Sequence, residues 1–166
     1  FANDFRNRGV ISTPSGSGRG SNVGANREED ESLHAGKRGK ASVWISWIAP
    51  QTGIATVSTD GSSFDTLLGV YLGSAVDRVQ AVASDDDAAG YHTSLVRFNA
   101  VGGKRYEIAI DGFAEGQGDI VLNWDLFATN EKLPEILKLS PSTTVSLGSP
   151  LALVVEYSCL SQVSVQ

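Results

Sequence analysis

The sequence predicts an all-β chain folded as an antiparallel β-sandwich, jelly-roll-like in form, and three observations carry the prediction. From about residue 41 onward, runs of strand length alternate apolar and polar residues with a period of two. Clusters of Gly, Asp, Asn and Ser separate those runs. No segment shows a sustained helical stripe, so the crossover helices of a parallel α/β sheet are missing. With 166 residues, 18 of them glycine, and 41% hydrophobic against 19% charged, the composition suits one turn-rich globular domain and is short for two.

Taken in order, "STPSGSGRGSN" (12–22) is rich in Gly and Ser and reads as a flexible loop, with a short strand expected at 21–25. "REEDESLHAGKRGK" (27–40) sets an acidic run against a basic one and reads as a solvated loop. "SVWISWIAP" (42–50) is the first clear strand. Val43, Ile45 and Trp47 share one face while Trp44, Ser46 and Ile48 share the other, and both faces are largely apolar, as in a central strand covered on both sides. Further strands are expected at 53–59, 64–73, 78–84, 93–101, 105–113 and 118–128, joined by "TDGSS", "AVGGK" and "GFAEGQGD", which have the Gly and Asp that tight turns need.

After Ala128 the texture changes. "TNEKLPE" (129–135) reads as a linker, and residues 136–166 resemble the opening strands of an immunoglobulin-like domain, incomplete here, with a strand at Leu151 to Tyr157 followed by Cys159. One cysteine allows no disulfide within the chain. Methionine is absent, even at position 1, so the chain is expected to be a processed or excised piece of a longer product. No run approaches the roughly 20 apolar residues that span a bilayer, so membrane insertion is not expected.

The formal charge of −6 is unevenly spread. Residues 1–40 have a net +2, residues 41–130 a net −7 and the remainder −1. An acidic body argues against nucleic acid, whose phosphates need clustered Lys and Arg, and favours calcium if any ion.

Motifs in chain order carry a family resemblance: "ANDFRNR" (2–8), "GSNVGA" (20–25), "SLHAG" (32–36), "SVWISWIAP" (42–50), "SSFDTLLGVYLG" (62–73), "ASDDDAAG" (83–90), "YEIAIDGF" (106–113) and "GDIVLNWDL" (118–126). Together they resemble the bacterial pre-peptidase C-terminal domain family, over residues 1–128. Ile45 departs from an aromatic position, and "SDDD" from the more frequent Ser-Asn-Asp. The resemblance implies a β-sandwich appended to secreted peptidases or surface proteins, with members that bind calcium or the polymer their enzyme degrades. It also implies that His34, inside "LHAG", holds the long loop against the sheet.

Candidate sites follow from residue chemistry. Asp85, Asp86 and Asp87 crowd three carboxylates into one turn, a repulsion that a calcium ion would offset. Their spacing is no EF-hand, because the position of its bidentate Glu is Val96. Further ligands must come from Asp65 or from the acidic loop at Glu28, Glu29 and Asp30. The competing reading is an exposed turn whose carboxylates cap backbone N–H groups, and Asp65 and Asp111 are equally open to a structural role. His92 follows the turn and is placed to hydrogen-bond there, although neither histidine has zinc-ligand spacing. No Gly-x-Ser-x-Gly elbow or phosphate loop is present, so no catalytic residue is assigned and the chain is read as a non-enzyme. Most aromatic rings sit in strands and belong to the core, whereas Tyr91 and Phe113 lie in turns and are the candidates for contact with a sugar. The expected function is a non-catalytic accessory, adhesion or spacer module of a secreted or surface multidomain protein, with calcium as its stabilising ion and neighbouring domains of the same chain as partners. The alternatives are a carbohydrate or polymer-binding module, with a surface glycan as partner, and a subunit of an extracellular filament joined through its terminal strands.

Overall fold

The computed structural model describes residues 1–139 and 155–158. The chain divides into two compact units, Phe1–Asn130 and Glu131–Gln166. Nine strands build the first: β1 (Gly9–Ile11), β2 (Ser15–Ser21), β3 (Val43–Ile48), β4 (Gly53–Ser58), β5 (Thr66–Leu72), β6 (Gln80–Asp85), β7 (Leu95–Ala100), β8 (Arg105–Gly112) and β9 (Asp119–Ala128). They form a five-stranded sheet in the order β1-β3-β8-β5-β6 and a four-stranded sheet in the order β2-β9-β4-β7. The antiparallel pairs β2·β9, β3·β8, β4·β7 and β5·β6 are nested one inside the next. This is a long hairpin rolled up, the jelly-roll plan of the β-sandwich.

Period-two alternation decides what lies between the sheets. Val43 and Trp47 of β3, Leu68 and Val70 of β5, and Tyr106, Ile108 and Ile110 of β8 point inward from the larger sheet. Ala55 and Val57 of β4, Val96 and Phe98 of β7, and Ile120, Leu122 and Leu126 of β9 meet them from the smaller one. The other face of the larger sheet is covered too. Phe5, Trp44, Tyr71 and Ala109 form a second buried cluster there, and the Arg8 guanidinium clasps the buried Glu107 carboxylate, with Nε 2.5 Å from Oε2 and Nη2 2.9 Å from Oε1. The N-terminal segment and the 22–41 loop therefore act as a third layer.

Three expectations need correction. The Gly/Ser-rich stretch is a strand, β2, paired along its whole length with β9, and the strand expected at 21–25 is a turn. Glycine is needed in β2 because rings lie across its backbone: a Cβ on Gly16 would stand 2.3 Å from the Trp124 ring, and one on Gly20 2.3 Å from the Phe1 ring. The sandwich itself is antiparallel as expected, apart from the three-residue β1, which runs parallel to β3. The charged 27–40 segment, by contrast, is not simply solvated. Glu31 and His34 are buried, because each finds partners inside: Glu31 accepts from Ser42 Oγ at 2.9 Å, and His34 lies between Glu31 at 2.8 Å and the Tyr71 hydroxyl at 2.6 Å.

In the second unit, β10 (Glu135–Leu139) pairs antiparallel with β11 (Val155–Ser158). The rest of the expected immunoglobulin-like opening, including Leu151 and Cys159, lies outside the described residues, and the filament reading that depends on those strands lies there with it.

Candidate cation-binding cleft

Antiparallel pairing brings the chemistry to one end of the sandwich. Thr66 at the start of β5 is opposite Gly112 at the end of β8, and Leu68 is opposite Asp85 at the end of β6. Asp65 before β5, the turn between β6 and β7, and Phe113 after β8 must therefore meet. They line a cleft of about 430 Å³ together with Lys37, Asp86, Asp87, Gly90, Tyr91 and His92.

Each aspartate has its own task. The Asp85 carboxylate accepts the N–H groups of Ala88 at 2.7 Å and Leu95 at 3.0 Å, closing the turn as a cap. Asp86 takes the Lys37 ammonium on Oδ2, while its backbone carbonyl accepts the Ser94 hydroxyl at 2.9 Å. Asp65 Oδ2 is 3.0 Å from His92 Nδ1. One ligand atom each from Asp65, Asp87 and His92 lie within 4.8 Å of one another. Oδ1 of Asp65 and Oδ1 of Asp86 are buried without a hydrogen-bond partner among the described residues.

The fold thus unites Asp65, Asp86 and Asp87 of the proposed ligands with both proposed contact rings, Tyr91 and Phe113. Asp85 serves the turn instead. Glu28 lies elsewhere, accepting the Phe5 N–H at 2.9 Å and lining a smaller cleft with Phe5, Arg6 and residues 74–77. Asp30 is exposed at a left-handed φ of 61° and does not line the acidic cleft. Sequence reasoning missed Lys37 altogether. Nothing in the residue pattern signalled it: in "HAGK" only Gly36 takes positive φ freely, and Ala35 is brought to φ 50° by the folded loop.

A perturbed charge and left-handed backbone are both found at this cleft. The Lys37 ammonium is held above the usual lysine range, first by its hydrogen bond to Asp86, against a smaller opposing effect of burial, and then by the charges of Asp86, Asp87 and Asp65. It also stands 4.5 Å from the Phe113 ring centroid, a cation–π distance. Tyr91 is 91% exposed and Phe113 39%. His92, Ala114 and Glu115 have φ of 66°, 47° and 70°, a left-handed backbone that non-glycine residues hold only under constraint.

The donor set suits a divalent cation. Two ligands on opposite sides of one calcium stand about 4.6–5.2 Å apart, and the Asp65, Asp87 and His92 atoms fall inside that limit. The orphaned oxygens of Asp65 and Asp86 supply acceptors in want of a partner. Three carboxylates favour calcium, whereas the His92 nitrogen would favour a transition metal. His92 enters this set through tertiary structure, where sequence spacing alone gave no histidine site.

No protein-family model matches the sequence, and no curated protein matches it. Among solved structures, the chain is similar to the pre-peptidase C-terminal domain of a collagenase from Bacillus anthracis, with 12% identity and a TM-score of 0.46, covering 71% of this chain and 94% of that one.

Proposed function

We propose that the chain is a non-catalytic accessory module of a secreted or surface multidomain protein, and that its acidic cleft binds calcium and is stabilised by it. The observation that carries this reading is the meeting of Asp65, Asp87 and His92 within 4.8 Å, beside Asp86. Division into two compact units supports a place in a multidomain chain. An open site with few carboxylates belongs to the weak class of calcium sites, with dissociation constants on the order of 10⁻⁴–10⁻³ M, which fill only where calcium is abundant, as it is outside cells.

Calcium that binds the folded state alone stabilises it by about 2.7 kcal/mol at a hundredfold excess over Kd. Saturating Ca²⁺ should raise the Tm of the full chain, EDTA should reverse the rise, and Asp65→Asn or Asp87→Asn should abolish it. A Tm indifferent to calcium removes the reading.

A second reading, polymer binding, is favoured by the placing of Tyr91 and Phe113 on the rim of the same cleft. Aromatic rings beside polar groups form stacking platforms for sugars. Binding to a panel of insoluble polysaccharides that Tyr91→Ala and Phe113→Ala both weaken would support it, and no retention on any of them would dismiss it.

A further inference from the structure

Lys37 enters the cleft from a turn that leaves its backbone little freedom. Its N–H donates to the His34 carbonyl at 2.9 Å, and the two residues between have φ of 50° and 69°, the signature of a type I′ turn. The other arm of the turn is anchored in the interior. His34 is 1% exposed, with Nδ1 2.6 Å from the Tyr71 hydroxyl and Nε2 2.8 Å from the Glu31 carboxylate. One end of a two-residue turn is thus locked into the protein, and the opposite end delivers an ammonium to the acids.

A divalent ion at Asp65 and Asp87 needs more oxygens than those two side chains supply. Asp86 is the remaining carboxylate lining the cleft among the described residues, and its Oδ2 is occupied by Lys37. The same three carboxylates that would hold the ion act on the lysine charge. Metal and ammonium cannot both sit there without strong mutual repulsion.

Resting on the calcium reading above, we propose that Lys37 is a built-in competitor, a tethered ammonium that holds Asp86 and the face of Phe113 until a divalent ion displaces it. Metal entry then moves Lys37 off the Phe113 ring as well. Calcium binding and exposure of the aromatic wall become two results of one exchange. The affinity for metal is set by how firmly the anchored turn holds the lysine, as well as by the acids.

The test uses the full chain and two readouts. Calorimetric titration with Ca²⁺ compares the wild type with Lys37→Met, Lys37→Gln and Arg38→Met. Both Lys37 variants should bind roughly five- to tenfold more tightly, as removal of a neighbouring cation implies. Arg38→Met, which removes the same charge one residue along on an exposed side chain, should bind like the wild type. The second readout needs no variant: acetylation by limiting acetic anhydride, mapped by mass spectrometry, should speed up at Lys37 when calcium saturates and stay constant at Lys40 and Lys104. Equal calcium affinity in wild type and both Lys37 variants, or a Lys37 labelling rate that calcium does not change, overturns the proposal and leaves the calcium site standing. If neither the wild type nor the Lys37 variants bind calcium, the site falls and the proposal with it. A silent wild type beside binding-competent variants would show a lysine that calcium does not displace, and would overturn the proposed exchange.

Discussion

Replacing Arg8 with Met tests whether the third layer is held on by charge. Glu107 is 1% exposed and takes both prongs of the Arg8 guanidinium. Arg8 also donates to the Phe5 carbonyl and stacks 3.6 Å from the centroid of the Phe5 ring. Removing one partner of a buried ion pair strands the other charge and costs about 3–5 kcal/mol. Here part of the loss is made good, because Arg105 Nε remains 3.1 Å from Glu107 Oε1 and Ser46 Oγ 2.5 Å from Oε2. Arg105 is 45% exposed in its side chain, so water screens its contribution. The expected cost of Arg8→Met is therefore about 2–3 kcal/mol. Urea denaturation followed by the fluorescence of the buried Trp44 and Trp47 would measure it. Glu107→Gln should relieve the stranded charge, so the double variant should be more stable than the sum of the singles implies, with a coupling of about 1–3 kcal/mol. A loss below about 0.5 kcal/mol, the scatter of ordinary surface changes, or strict additivity would show that the Arg8–Glu107 pair does not hold the layer in place.

Two further outcomes are expected. Gly16→Ala should destabilise by about 1–3 kcal/mol and shift the Trp124 emission, because the added Cβ meets a ring whose Nε1 is held 3.2 Å from Thr13 O; Gly18→Ala, whose Cβ finds nothing closer than 3.8 Å, should be nearly neutral. Equal effects at the two sites would contradict the ring-over-glycine account. Glu31→Gln should show a pH signature in Tm. Burial by itself would raise the Glu31 carboxyl, but hydrogen bonds from His34, Ser42 and the Glu28 N–H, with the His34 charge, hold it below the usual carboxylate value. The unfolded state then takes up the proton first, so the stability Glu31 supplies is complete above about pH 4.3 and is lost as pH falls through the lower folded value. The gap between wild type and variant should stay constant from about pH 7 to 5 and close at lower pH; a gap that widens in acid would reverse the sign of the argument.

Strands with side chains to alternate were legible from the sequence. The runs around Val43, Leu68, Ile108 and Leu122 announced themselves because period two is written in residue types. β2 was not legible, since Gly16, Gly18 and Gly20 have no side chain to show a face, and the reason Gly16 and Gly20 are glycine lies in Trp124 and Phe1, about a hundred residues away in one direction and about twenty in the other. Charge misled in the 27–40 segment, where burial of Glu31 depended on partners at Ser42 and His34 that spacing does not display. In the cleft, Asp65, Asp86, Asp87, Tyr91 and Phe113 were read from residue chemistry and turn placement. That Asp85 faces its own turn, and that Glu28 supports Phe5, are matters of side-chain direction that only the packed loops decide.

The nesting of the strand pairs bears on the order in which the molecule can be made. The innermost pair joins Leu68 to Asp85, the next Gly53 to Ala100, the next Val43 to Ile110, and the outermost Ser15 to Asp125. Loop closure costs more as the separation grows, so folding is expected to start at the β5–β6 hairpin and zip outward, slowly, as in other chains dominated by distant contacts. During synthesis from the N-terminus the four pairs become available in that same order. The groups that line the acidic cleft all lie between Lys37 and Phe113, so the ribosome releases them before β9 is complete. β9, standing between β2 and β4, follows them and completes the smaller sheet after every residue of the cleft has been made.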